Sequence, residues 1–211
     1  MKIVTYSLFS IFFLVIFLSL VQIGSQYMWS DEIFSFHAAE RILEIGEPIY
    51  ESGLQYSRSG IYHYLLAFSM KLFGIDEFGS RVINIPFLVG TWAVISIFIY
   101  SLLDRLKDIK KRVVISYIGG LLYFISNFSI AMLRETRMYS MSTFFLITTV
   151  YLIYKAVISP SKGIYIKWFN MKVDFRYAIP SIFTLLIALD TQPINIILGL
   201  GLFFFFTLSK S

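Results

Sequence analysis

The chain has 211 residues, of which 57% are hydrophobic and 18% aromatic, with a mean hydropathy of +0.74. Soluble domains are only about 45–50% apolar, so this composition belongs to the polytopic membrane class. With no cysteine the chain has no disulfide framework, thiolate nucleophile or cysteine-held metal, and its two histidines, His37 and His63, are too few for a histidine-rich metal site.

Residues 3–24 form the first apolar run, and they are long enough to cross a bilayer. A secretory signal has an apolar region of roughly 7–15 residues and a small-x-small cleavage site. This run is longer, and Gln22-Ile23-Gly24-Ser25 is a poor cleavage sequence, so a retained transmembrane anchor is expected. Residues 25–80 hold most of the acids and are too polar to face lipid. Within them Ser30 reads as a helix cap with Asp31 and Glu32 in the first turn. That helix is expected to reach about Ile45, burying Phe36, Ala39, Ile42 and Leu43 at helical spacing, and to end at Gly46-Glu47-Pro48. Residues 49–60 read as a turn-rich loop, and Ile61–Phe73 as a second, more apolar helix stopped by Gly74. Two helices and a loop of this kind are expected to lie along the membrane surface.

Arg81 opens the next span, 82–103, and a charged connector, 104–112, follows. Residues 113–158 are too long for one crossing, and Arg134-Glu135-Thr136-Arg137 interrupts them, so two spans, 113–132 and 139–157, are expected. A basic stretch then precedes residues 178–208, which Asp190-Thr191-Gln192-Pro193 divides into halves of about fourteen residues, short of the roughly twenty a full span needs. A broken or re-entrant hairpin fits best. The expected architecture is a single all-α, polytopic membrane domain over residues 1–211. It has about six membrane-embedded helices, the last two short, and a large helical first extracytoplasmic loop.

The charges are sorted by side. Residue Lys2, segments 104–112 and 155–177, and Lys210 carry 12 Lys and Arg against three acids, a net +9. Arg41, Arg58, Lys71, Arg81, Arg134 and Arg137 share the other side with ten acids, a net −4. The positive-inside rule makes the first side cytoplasmic, with the N-terminus, and the acidic loop extracytoplasmic. The net charge of +5 is therefore a topology signal in an integral, multi-pass cell-membrane protein, and nucleic acid is not an expected partner.

Asp31-Glu32 lies where the first span meets water. A cap on the helix dipole would account for both acids, yet the pair is followed by a loop rich in Tyr, Arg and His that can complete a site. Consecutive helix residues point about 100° apart, so one of the two is expected to face a reacting atom: Asp31, as general base or metal-associated carboxylate, with Glu32 beside it. Arg134 and Arg137, at i and i+3, would share a helix face. Snorkelling is the usual role of arginine at a span end, but these two lie on the acidic side, and the guanidinium suits bidentate phosphate contact. Arg58, His63 and Arg81 are weaker candidates, each with an ordinary reading as solvated, interfacial or span-anchoring. Asp190, in the broken hairpin, is an ionisable group at membrane depth or in an outer turn. No P-loop, GxGxxG or zincin motif is present.

In order and spacing, Trp29-Ser30-Asp31-Glu32, Ile61-Tyr62-His63-Tyr64-Leu65-Leu66, Leu72-Phe73-Gly74, Arg81 and Arg134-Glu135-Thr136-Arg137-Met138-Tyr139-Ser140 resemble the C-type (GT-C) membrane glycosyltransferases. The likeness is to their protein O-mannosyltransferase and aminoarabinose-transferase-like branch and covers most of residues 1–200. It implies a multispan helical fold and a polyprenyl-phosphate sugar as donor substrate, with inverting transfer to an acceptor on the extracytoplasmic face. It also implies Asp31 as the acceptor-activating carboxylate with Glu32 next to it. Arg134 and Arg137 would lie near the donor phosphate, with Tyr139, Arg58, His63 and Arg81 contributing to the substrate site. The resemblance implies no cofactor; the divalent metal at Asp31 belongs to the reading of that residue as a metal-associated carboxylate. The Pro-Pro or Lys-Pro element usual before the Tyr-rich helix is replaced by Ser59-Gly60. Such enzymes have about twice as many spans, so the chain is expected to be the N-terminal part of one, or a half that needs a second chain for the missing spans. A transporter component is the remaining alternative.

Overall fold

The computed structural model describes residues 10, 13, 14, 17, 21, 23–158, 162–166, 171–197, 200 and 201. Most of the expected anchor 3–24, and residues 198, 199 and 202–208 of the expected hairpin 178–208, lie outside the described residues. Helix makes up 72% of the fold and strand 3%, so the helical class stands.

Helix α1, Ser30–Ile45, starts as its sequence dictates but is capped differently. Trp29, not Ser30, holds the cap position, because Glu32 reaches back to accept from the Trp29 amide at 3.2 Å. This is the carboxylate half of a capping box. Gly46, at φ 84°, closes the helix in the left-handed conformation that glycine adopts without steric cost, its amide donating to Ile42. Helix α2, Gly60–Phe73, packs on α1, and Ala39, Tyr62, Leu66, Ala67 and Met70 form with Met138 and Met141 the core of the acidic side.

Helix α3, Glu77–Val82, is capped by Asp76, which accepts from the Gly79 amide at 2.7 Å. With α4, Asn84–Leu102, it makes one apolar stretch of 26 residues, long enough to cross a membrane. Arg81 therefore falls inside this stretch instead of opening it. Helix α5, Ile109–Phe124, begins at a cap by Asp108, and α6, Asn127–Leu133, follows a 57° bend at Ser126. The expected span 113–132 is thus a bent pair. Helix α7, Tyr139–Ile153, runs on through a π-helical turn, Tyr154–Ile158, to give a second crossing-length stretch of 20 residues. Within the most apolar 18 residues of each stretch, 17% and 28% are fully buried in the chain and nearly all of the others are half-buried. Among the described residues two helices are long and apolar enough to cross a membrane, or three if the bent pair counts as one; six spans are not seen.

Strands β1, Ile164–Ile166, and β2, Met171–Val173, pair antiparallel, with Tyr165 opposite Lys172, and lead into α8, Phe175–Thr191. This hairpin departs from the all-α expectation. An isolated two-stranded hairpin is marginal in water; here Val173 anchors it on Ala156 and Val157.

Between α4 and α5 the backbones meet closely. A Cβ added at Gly120 would stand 2.1 Å from Ser96 Oγ and 2.9 Å from the Trp92 carbonyl oxygen. Small residues at such crossings let membrane helices pack without a hydrophobic driving force. Gly120→Val is expected to force the two helices apart at a cost of about 1–3 kcal/mol, seen as a lowered thermal midpoint in detergent; an unchanged midpoint would show that the crossing relaxes freely.

Candidate functional site

The two carboxylates at the start of α1 are divided by the helix. Glu32 turns inward and is 2% exposed. It accepts from the Trp29 and Thr136 amides and from Arg81, whose Nε and Nη2 lie 3.2–3.3 Å from its oxygens. Arg81 directs Nη1 to the carbonyls of Ile23 and Gln26 at 2.9 and 2.8 Å. Each of its three guanidinium nitrogens thus has a protein acceptor, and it is 1% exposed. Sequence reading offered Arg81 as a span anchor or substrate contact; the structure places it in a buried ion pair with Glu32. Glu32 is a positioning group, joining α1, α3 and the segment 134–138.

Asp31 points the other way, its side chain 45% exposed. Arg137 Nη2 lies 3.6 Å from Asp31 Oδ2, and Nη1 donates to the Asp31 carbonyl at 3.0 Å and to Ser35 Oγ at 3.5 Å. The Arg137 guanidinium also stands 5.5 Å over the Tyr139 ring. Asp31, Arg137 and Tyr139 are thus brought together from positions more than a hundred residues apart.

Arg134 and Arg137 do not share a helix face. Arg134 caps the end of α6, and 134–138 is an irregular turn before α7. The turn is held off helical geometry by long-range bonds: Thr136 to Glu32, Thr136 Oγ1 with Ser80 Oγ at 2.8 Å, and Asn84 Nδ2 to the Glu135 carbonyl at 2.6 Å. Nε of Arg134 and of Arg137 are both buried with no hydrogen-bond partner among the described residues. Glu135, which the sequence reading passed over, sits between them. Burial, reinforced by the charge of Glu32, holds its carboxyl above the ordinary range. Its position inside the Arg-x-x-Arg segment was the available signal.

His63 is fully buried, Nδ1 bonded to the Ser59 carbonyl at 2.8 Å. Ser59 is held at φ 54° because its amide and hydroxyl serve the carbonyls of Asp190 and Thr191, two of the unsatisfied acceptors that end α8. Asp190 Oδ2 in turn accepts from the Ile61 amide at 3.3 Å. That places Asp190 at the end of α8, as a cap on the first turn of α2. Arg58 is exposed in the loop before α2. For a divalent metal, Asp31 offers one carboxylate with a guanidinium beside it, and no group of three or more ligating side chains gathers among the described residues. Asp31 would be the residue to hold such a cation, whose other ligands a lipid phosphate and water would supply.

Burial pulls the His63 pKa from 6.5 down to about 4, and the charge of Arg137 acts in the same direction. The unfolded chain, titrating near 6.5, therefore binds the proton more readily. The stabilisation is complete above about pH 6.5 and is lost as pH falls towards 4. The thermal midpoint in detergent is expected to drop across that window, and His63→Asn to flatten that part of the slope. An identical slope in the variant would assign the acid sensitivity elsewhere.

No family model matches the chain, and no solved structure matches it. It is similar to an uncharacterized protein of Aquifex aeolicus (strain VF5), with 24% identity over 201 residues, 93% of this chain. The chain spans only 36% of the length of that relative.

Proposed function

We infer that the chain is a membrane glycosyltransferase, or the N-terminal part of one. It moves a sugar from a polyprenyl-phosphate donor to an acceptor on the extracytoplasmic face. The observation that carries this reading is the division of labour at α1. Glu32 is withdrawn into a structural ion pair, while Asp31 stays half-exposed beside Arg137, whose Nε has no partner among the described residues.

In the proposed reaction the acceptor hydroxyl oxygen attacks the anomeric carbon from the face opposite the lipid phosphate. The carbon–oxygen bond to phosphate breaks with inversion, and the polyprenyl phosphate departs with the bonding electrons. Asp31 takes the hydroxyl proton. Arg134 and Arg137 stabilise the charge that grows on the phosphate, a task suited to the guanidinium. The carboxylate and the cations must lie on one side of the membrane, and the sorted charges of the chain support that.

The test supplies membranes carrying the full chain with undecaprenyl phosphate bearing radiolabelled mannose, glucose or 4-amino-arabinose. Label is expected to be retained and then passed to acceptor material. Retention no greater than in membranes lacking the chain overturns the reading. A second reading, a half that requires a partner chain, is supported by the 36% share of the Aquifex relative that this chain spans. It predicts retention without transfer.

A further inference from the structure

Folded interiors leave few buried polar side-chain atoms without partners, and such atoms mark positions where water or a ligand is held. Tyr62 Oη, His63 Nε2, Asn84 Oδ1 and Arg137 Nε are such atoms among the described residues, on four side chains from residues at least nine-tenths buried. They come from α2, from the first residue of α4 and from the 134–138 turn. The Asn84 carboxamide is a side-chain neighbour of the Tyr62 hydroxyl, and the charge of Arg137 acts on both Tyr62 and His63.

The bonds these groups do make set their remaining character. His63 donates Nδ1–H to the Ser59 carbonyl, so Nε2 is left as an acceptor. Asn84 donates Nδ2–H to the Glu135 carbonyl, so Oδ1 is left as an acceptor. Arg137 Nε only donates, and the Tyr62 hydroxyl does either. A phosphate or carboxylate oxygen brings no proton to the two acceptors. An alcohol satisfies both kinds of group, donating to one and accepting from another. Aromatic rings complete the surroundings, Tyr56 at 4.6 Å and Tyr62 at 5.6 Å from the imidazole. A few oriented polar groups among apolar rings is how small-ligand sites fix a hydroxylated ring.

We propose that Tyr62, His63, Asn84 and the inner edge of Arg137 form the pocket that recognises the hydroxyls of the sugar carried on the lipid phosphate, behind the Asp31–Arg137 pair. This rests on the glycosyl-transfer reading and adds to it which residues select the sugar. His63 is fully buried, so Tyr56 must shift from the imidazole for a sugar to reach Nε2.

The test measures how much more tightly the detergent-solubilised full chain binds undecaprenyl phosphate bearing mannose, glucose or 4-amino-arabinose than it binds undecaprenyl phosphate itself. His63→Asn keeps a donor towards Ser59 and removes Nε2; His63→Gln keeps an acceptor near the Nε2 position; Tyr62→Phe removes one hydroxyl. The wild-type chain is expected to prefer a sugar-bearing lipid. His63→Asn and Tyr62→Phe should each lower that preference about tenfold with affinity for the bare lipid phosphate unchanged, and His63→Gln should lower it less. A preference unchanged in both reduced variants assigns the four atoms to buried water and overturns the proposal. If His63→Asn does not fold, Tyr62→Phe decides alone. A wild-type chain that binds both lipids equally overturns the sugar pocket and leaves the glycosyl-transfer reading standing. One that binds neither overturns both.

Discussion

Asp31→Asn is expected to reduce sugar transfer from an undecaprenyl-phosphate donor by a factor of roughly a hundred or more, the range general-base removal covers. The amide keeps the size of the carboxylate and leaves the Asp31 carbonyl free to accept from Arg137, so α1 and the 134–138 turn should keep their places. What it loses is the ability to take a proton from the acceptor hydroxyl. Donor binding should therefore persist while turnover collapses, a split between kcat and KM that a misfolded chain does not produce. Arg137→Lys is the companion variant: it keeps a charge but not the planar fork, and should weaken donor binding as well as turnover. Full transfer by both variants would remove Asp31 and Arg137 from the site.

Breaking the Glu32–Arg81 pair is expected to have the largest effect on stability. Removing one member of a buried ion pair leaves the other uncompensated, at a cost of about 3–5 kcal/mol. For Arg81→Met, Glu32 would keep two amide donors but lose its counter-charge, and the Ile23 and Gln26 carbonyls would lose theirs. For Glu32→Leu the damage adds a lost helix-capping contact and an orphaned Thr136 amide. The double variant, Glu32→Gln with Arg81→Met, should be less destabilised than the sum of Glu32→Gln and Arg81→Met measured singly, because no lone charge remains and Gln still accepts from an amide. Thermal unfolding in detergent, read by tryptophan fluorescence, decides it. Strict additivity would mean that the two side chains do not act as a unit.

Much of the local structure was legible. The start of α1, its end at Gly46, the α2 boundaries and the crossing-length stretches follow from hydropathy and from glycine and proline positions, which act over a few residues. The polar neighbourhoods were not. Glu32 and Arg81 are 49 residues apart, Glu32 and Thr136 are 104 apart, and no periodicity links them. Arg134-x-x-Arg137 looked helical because the spacing fits a turn of helix. Bonds to Glu32, Ser80 and Asn84 outweigh that local preference and leave both guanidiniums partly unpaired. Asp190, which sequence left either at membrane depth or in an outer turn, lies at the end of α8 and caps α2 from 129 residues away.

The acidic pair shows where the division falls. Sequence alone determined that two carboxylates open a helix next to a long apolar run, on the side of the chain that carries the acids. It also determined that they cannot face the same way, because consecutive helical residues diverge. Only the tertiary structure decided which is which. Burying a carboxylate needs a paired cation and donors for its oxygens. Arg81 and the Thr136 amide reach the inward position, so Glu32 became the lock and Asp31 was left facing out beside Arg137.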